Sequence, residues 1–251
     1  RITDTDIFTD QLALTGKFNT GAIKHKFNVG AEYSDQKSDK GSYTTTYPGY
    51  TGTTTGGFNS DCKINDAWCT SLTNPNSKEE WLGSAVANRN TTTTTTKVTS
   101  VYLLDNIEFN PQWLLDLGVR WDKFDTEQVT NATGAKLENN KDFFTYQAGL
   151  TYKPMKNGSI YASYATSANP VGVDGGDGSE AIGQAYMDLK PEQARTYEVG
   201  TKWDLFNDRL NLTAAVFRKE KQNTRIQLDA GTYTNGGESK VDGIELTANG
   251  Q

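Results

Sequence analysis

Between Leu189 and Arg225 the sequence LKPEQARTYEVGTKWDLFNDRLNLTAAVFRKEKQNTR alternates residue by residue. Tyr197, Val199, Thr201, Trp203 and Leu205 fall on one face of a strand, and Glu198, Gly200, Lys202 and Asp204 on the other. After the turn FNDR the pattern resumes, with Leu210, Leu212, Ala214 and Val216 set against Asn211, Thr213, Ala215, Phe217 and Lys219. Alternation this regular requires a sheet with one apolar and one polar face.

Two architectures satisfy that requirement. In a soluble sandwich the apolar face is the core; in a membrane-spanning barrel it meets lipid and the polar face lines a lumen. Composition does not separate them at once. The chain of 251 residues is 35% hydrophobic with a mean hydropathy of -0.68, lower than the roughly 45–50% apolar usage of globular domains. No run of 18 or more apolar residues occurs. A barrel would show none either, because each strand exposes only alternate residues to lipid. The net charge of -6 and pI of 4.9 argue against a nucleic-acid partner, which calls for a basic patch or stripe.

The spacing of the strands decides the matter. Strands are expected over about 10–18, 23–35, 96–109, 113–125, 141–153, 159–167, 194–205 and 210–219, with a ninth beginning near Val241. The connections at Asn19, Asn110, Pro154 and Phe206 are short, and those over 36–95, 126–140, 168–193 and 220–240 read as long polar loops. Short turns at one end and long loops at the other are the habit of outer-membrane barrels. Strands of about 9–13 residues exceed the usual 5–6 and suit a tilted bilayer crossing. Trp113, Trp121, Phe144, Tyr152, Tyr197 and Trp203 sit near strand ends on the apolar face, as interfacial girdle residues do. The expected fold is all-β, an antiparallel transmembrane β-barrel fragment of about nine long strands, with the polar face inside. In the third strand, SVYLLDNIEFN, the alternation slips where Leu103 and Leu104 adjoin, which suggests a bulge or an interface crossing.

Catalytic and metal chemistry is not signalled. There is no His cluster, nucleophile elbow, phosphate loop or dinucleotide fingerprint, so neither enzyme activity nor an intrinsic cofactor is expected. The single histidine, His25, reads as an interfacial side chain. Cys62 and Cys69, with six residues between them in a polar loop, suggest a disulfide closing a small loop, worth roughly 2–3 kcal/mol on the chain-entropy view.

Binding is the chemistry that remains. The 36–95 segment places Tyr47, Tyr50, Trp68 and Trp81 among polar residues, where aromatics either pack the loop on itself or offer rigid contact area to a ligand. The cations Arg218, Lys221 and Arg225 flank a loop at the rim. They suit an anionic ligand, pairing with Glu220, or lipopolysaccharide phosphates.

Five segments in order resemble TonB-dependent outer-membrane receptors: WLLDLGVRWDKFD, GSIYASYATSANP, LKPEQARTYEVGTKW, LNLTAAVFRKEKQNTR and KVDGIELTANG. They are most similar to the ferric-siderophore branch. The resemblance implies part of a 22-stranded barrel, residues 1–251, in the outer membrane of a Gram-negative bacterium. It implies uptake of a ferric siderophore energised by the TonB–ExbB–ExbD complex through a plug region outside this chain, with iron only as cargo. Outer-membrane lipid and lipopolysaccharide are the implied surroundings. The strand signals alone also fit a passive channel or adhesin barrel without a plug.

Overall fold

The computed structural model describes residues 2–46, 73–75, 78, 83–170, 188–207, 209–229 and 232–250. Among the described residues nine strands follow one another: β1 (Ile2–Thr20), β2 (Ile23–Thr46), β3 (Ser84–Asn110), β4 (Trp113–Thr130), β5 (Ala135–Met155), β6 (Gly158–Asn169), β7 (Glu192–Leu205), β8 (Leu210–Asp229) and β9 (Thr232–Gly250). They form one sheet in sequence order, and each pair from β3 to β9 is antiparallel. Every strand is therefore paired with its chain neighbour, the simplest up-and-down meander. By compactness the chain divides into 1–2 with 41–89 and, separately, 3–40 with 90–251.

Burial along the sheet is inverted relative to a soluble protein. Among the described residues Leu189 is the one buried hydrophobic side chain. Pro170 aside, the other buried side chains are polar or charged, including Ser100, Asp122, Thr126 and Glu192. Leu12, Ile244 and Leu246 are 78%, 74% and 78% exposed. Rows of exposed Leu, Ile and Val on one face would be a severe liability in water; facing lipid, they are the expected outer surface of a barrel. The apolar face is outside and the polar face inside.

Register carries this division across the sheet. Trp121 opposes Val101 on one side and Phe144 on the other, and Tyr197 opposes Tyr164 and Arg218; these are outward rows. Arg120 opposes Tyr102 and Thr145, an inward row. At the periplasmic end the indole of Trp113 stacks on Tyr152 at 4.6 Å. The β1–β2 turn uses Gly21 at φ 65°, a left-handed conformation that favours glycine.

Strand lengths correct the loop boundaries. The 36–95 loop is shorter than expected, because β2 runs to Thr46 and β3 starts at Ser84. The segments 126–140 and 220–240 are largely strand: β4 runs to Thr130 and β5 starts at Ala135, while β8 runs to Asp229 and β9 starts at Thr232. β9 accordingly begins at Thr232, not near Val241. The physical reason is threonine: Thr91 to Thr96 is polar, hence loop-like by hydropathy, yet β-branched and at home on a pleated ladder. Strand three is corrected as well. Its pairing with β4 is unbroken from Thr92 to Glu108, and the register shifts only between Glu108 and Asn110. The slip in pattern is one of side chains, not backbone: Leu104 turns inward against Gly118, and Asp105 turns outward to His25 Nδ1 at 2.8 Å.

Candidate functional site: the inner wall and its mouth

The inner face of β1–β4 is organised around one guanidinium. Arg120 donates from Nη2 to Glu32 Oε2 at 2.6 Å and from Nε to Asp122 Oδ1 at 2.8 Å. Ser100 donates to Asp122 Oδ1 at 2.6 Å, and Gln11 Nε2 donates to Glu32 Oε1 and to the Tyr102 hydroxyl at 2.9 and 3.1 Å. The Tyr102 ring lies 5.8 Å from the Arg120 guanidinium carbon, within cation–π range. Arg120, Glu32 and Tyr102 border an open cleft of about 340 Å³, together with Asn28, Gln147 and Thr166. A planar fork gripping two carboxylates fixes four strands at a polar surface. The wall thus offers a fixed pattern of donors and acceptors. Among the described residues no group of three His, Cys, Asp or Glu could hold a metal ion.

A second inward cluster lies beyond the apolar band, at the mouth. Glu192, 7% exposed, accepts from Lys221 Nζ at 2.7 Å and from the backbone N–H of Arg225 at 3.0 Å. Between Lys221 and Arg225 the register of β8 shifts twice, and Asn223 adopts φ 56°. Asn235 locks this bulge: its Nδ2 donates to the carbonyls of Asn223 and Lys190, while its Oδ1 accepts from the Lys190 N–H. Burial raises the Glu192 carboxyl pKa, but the hydrogen bonds from Lys221 and the Arg225 backbone outweigh it and hold the group below its ordinary 4.5. Glu192 therefore stays ionised and gathers two cations at one point of the rim.

The expected site residues meet different fates. Lys221 and Arg225 are brought together on Glu192. Arg218 is not with them. It stands three residues from Lys221, an odd step that puts it on the opposite face, and there it pairs with Asp242 at 2.7 Å. Tyr47, Tyr50, Trp68, Trp81, Cys62 and Cys69 lie outside the described residues, as does the glycine-rich 171–180 segment. Glu192, Asn223 and Asn235 were not singled out from sequence. Glu192 sat in the quoted Leu-Lys-Pro-Glu stretch, the available signal.

The whole chain, residues 1–251, matches the family model described as TonB dependent receptor-like, beta-barrel. The chain belongs to that family. This TonB-dependent receptor segment is 56% identical over 257 residues to the siderophore receptor PiuA of Acinetobacter baumannii, covering 100% of this chain and 34% of that protein. It is 34% identical to the TonB-dependent receptor BfrD of Bordetella pertussis, covering 96% of this chain and 33% of that protein. Among solved structures, the crystal structure of the A. baumannii PiuA superposes with a TM-score of 0.88 at 55% identity, over 99% of this chain and 36% of that one. The ferric-catecholate import receptor Fiu of Escherichia coli K12 superposes at 0.77 with 25% identity, over 99% of this chain and 36% of that one. The receptor segment thus spans about a third of the length of the curated relatives it matches. Its family is one of transport receptors in the Gram-negative outer membrane, and the antiparallel transmembrane β-barrel fold is that of its neighbours.

Proposed function

We propose that the protein containing this segment takes up a ferric siderophore across the outer membrane in a TonB-energised step, and that the segment forms part of its barrel wall. The observation that carries the reading is the 56% identity to a siderophore receptor along the whole of this chain. The mouth supports it: Lys221 and Arg225 converge on an ionised carboxylate at the inward rim, a fixed cationic point suited to an anionic ferric catecholate. Tyr47, Tyr50, Trp68 and Trp81 of the long β2–β3 connection are proposed as further, aromatic contacts to the ligand. Iron enters only as cargo, with no intrinsic cofactor and no catalytic step. The plug region that would contact the TonB–ExbB–ExbD complex belongs to the whole protein and not to this segment.

The test is uptake of radiolabelled ferric catecholate by cells whose sole outer-membrane iron receptor is the complete protein. Uptake should require TonB, and Lys221→Gln/Arg225→Gln should raise the half-saturating concentration about tenfold, the order expected for losing two charge-assisted contacts. Uptake that persists without TonB would show a passive pore instead.

A further inference from the structure

We infer that the inner wall of β1–β5 carries a second anion site at its periplasmic end, through which the ferric chelate leaves the lumen. This site rests on the uptake reading above and extends it from capture to release. Lys24 Nζ donates to Glu108 Oε1 at 2.9 Å, and both project inward, with the parity of Glu32 and Tyr102 on the same strands. Lys26 and Lys153 stand near enough for their charges to act on the same carboxylate. The cross-strand contacts Thr9–Ser34, Gln11–Glu32 and Phe18–His25 keep one register along β1 and β2, which sets Lys17 directly opposite Lys26.

The charge on this stretch is one-sided. Between the Arg120 network and the periplasmic turns, the inward positions of β1–β5 carry Lys17, Lys24, Lys26 and Lys153 against Glu108 and Asp116, an excess of two positive charges. The turns at this end, over 21–22, 111–112 and 156–157, add Lys156 and no carboxylate. On β7 the inward Lys202 and Asp204 cancel, so the excess belongs to β1–β5. Asp116 accepts from Asn106 Nδ2 at 2.5 Å and Glu108 from Lys24. Lys17, Lys26 and Lys153 are exposed and have no ion pair among the described residues. Like charges directly opposite each other on a ladder are destabilising, and an anion seated between Lys17 and Lys26 relieves them.

Lysine suits release. An arginine fork holds an anion by paired, directional bonds, whereas an ammonium is a hydrated point charge on a flexible stem. A path conducts when each site binds firmly enough to be entered and weakly enough to be left. At the mouth Lys221 and Arg225 are fixed on Glu192; at the periplasmic end even the paired Lys24 is 62% exposed. Between the two the wall turns negative, since Arg120 is answered by both Glu32 and Asp122. The open cleft beside Arg120 reaches Asn28 and Gly118, each two residues short of the lysine rung at Lys26 and Asp116 on the same face. A polyanionic ferric chelate driven past the negative belt therefore meets a positive rim that raises its local concentration at the exit.

The experiment follows radiolabelled ferric catecholate on cells carrying the complete receptor, as binding to de-energised cells and as the initial rate of TonB-driven uptake. Lys17→Gln/Lys26→Gln/Lys153→Gln leaves the Lys24–Glu108 pair in place. It should bind with unchanged affinity at the mouth and lower the maximal uptake rate about tenfold. An unimpaired triple variant beside an active wild type would overturn the release site alone. A wild type that takes up no ferric catecholate would instead sink the uptake reading, and the release site with it. A triple variant that admits a large antibiotic without TonB would show that the lysines hold a carboxylate of the rest of the protein in the lumen, which also refutes the site. Should the triple variant fail to reach the outer membrane, Lys17→Glu decides. It replaces a like-charge pair by an opposite one and should fold, and an uptake rate equal to wild type would refute the site.

Discussion

Tyr161 on β6 donates its hydroxyl to Glu198 Oε1 on β7 at 2.6 Å, with its ring laid over Gly200 two residues further on. A Cβ at Gly200 would stand 2.5 Å from the tyrosine oxygen. Lys202 Nζ lies 5.4 Å from the ring centroid. Three inward residues of one strand thus wrap a single aromatic from the next. The ring covers the backbone that glycine leaves bare, the usual cross-strand remedy for a glycine in a strand.

Gly200→Ala should therefore destabilise the barrel by about 1–3 kcal/mol through overpacking. The same change made in a Tyr161→Ala background should cost markedly less, since no ring remains to collide. Thermal midpoints of the four proteins in detergent give the coupling. Equal costs in both backgrounds would show that the ring does not set the need for glycine.

The Arg120 network predicts an unequal response to its two carboxylates. Asp122 is 6% exposed and depends on Arg120 and Ser100, whereas the Glu32 side chain is 30% exposed. Arg120→Met leaves Asp122 buried without its cation and should cost about 1–3 kcal/mol. Glu32→Gln should cost less than Arg120→Met, and Asp122→Asn added to Arg120→Met should recover part of the loss. Urea unfolding in lipid vesicles reads all three; a double variant weaker than Arg120→Met alone would contradict the account.

Glu192 sets an acid dependence at the mouth. Its folded pKa is depressed below 4.5, so its stabilisation is fully present above that pH and is lost as pH falls through the folded value. The difference in thermal midpoint between wild type and Glu192→Gln should be constant from pH 7 to pH 5 and should shrink only below 4.5. A difference that shrank between pH 7 and pH 5 would mean that the carboxyl is not held by Lys221 and Arg225.

Much of the wall was legible in the sequence because period-two patterning reports face directly. Tyr197, Glu198, Gly200 and Lys202 were assigned to their faces before any contact was known, and the structure adds why the glycine is there. Alternation with Trp113 and Trp121 puts Arg120 and Asp122 together on the polar face as well, but the grip of Arg120 on Glu32 joins residues 88 apart, and no local signal announces it. Thr91 to Thr95 read as loop because hydropathy treats threonine as loop-forming while its branched Cβ favours a strand. Asn223 and Asn235 were invisible for another reason: a bulge is a property of two strands in register, and neither strand alone records it. Arg218 was grouped with Lys221 and Arg225 by proximity along the chain, although counting in twos separates it from them.

The assignment of the apolar face to lipid makes a prediction that a soluble sheet would not share. Leu246 is 78% exposed and opposes Ala214, four residues along β9 from Asp242 and so well inside the apolar band. Thr247, its neighbour, opposes Thr213 on the inward face. Leu246→Arg should cost about 2–4 kcal/mol when the complete receptor folds into lipid vesicles, the penalty for a guanidinium near the bilayer midplane. Thr247→Arg should cost less than 1 kcal/mol, because a lumen position keeps its charge in water. The same pair in a water-soluble sandwich, where Leu246 as observed would be a surface residue, would show no such asymmetry. Equal folding free energies for the two arginine variants would therefore return the apolar face to solvent and overturn the reading of this chain as a barrel wall.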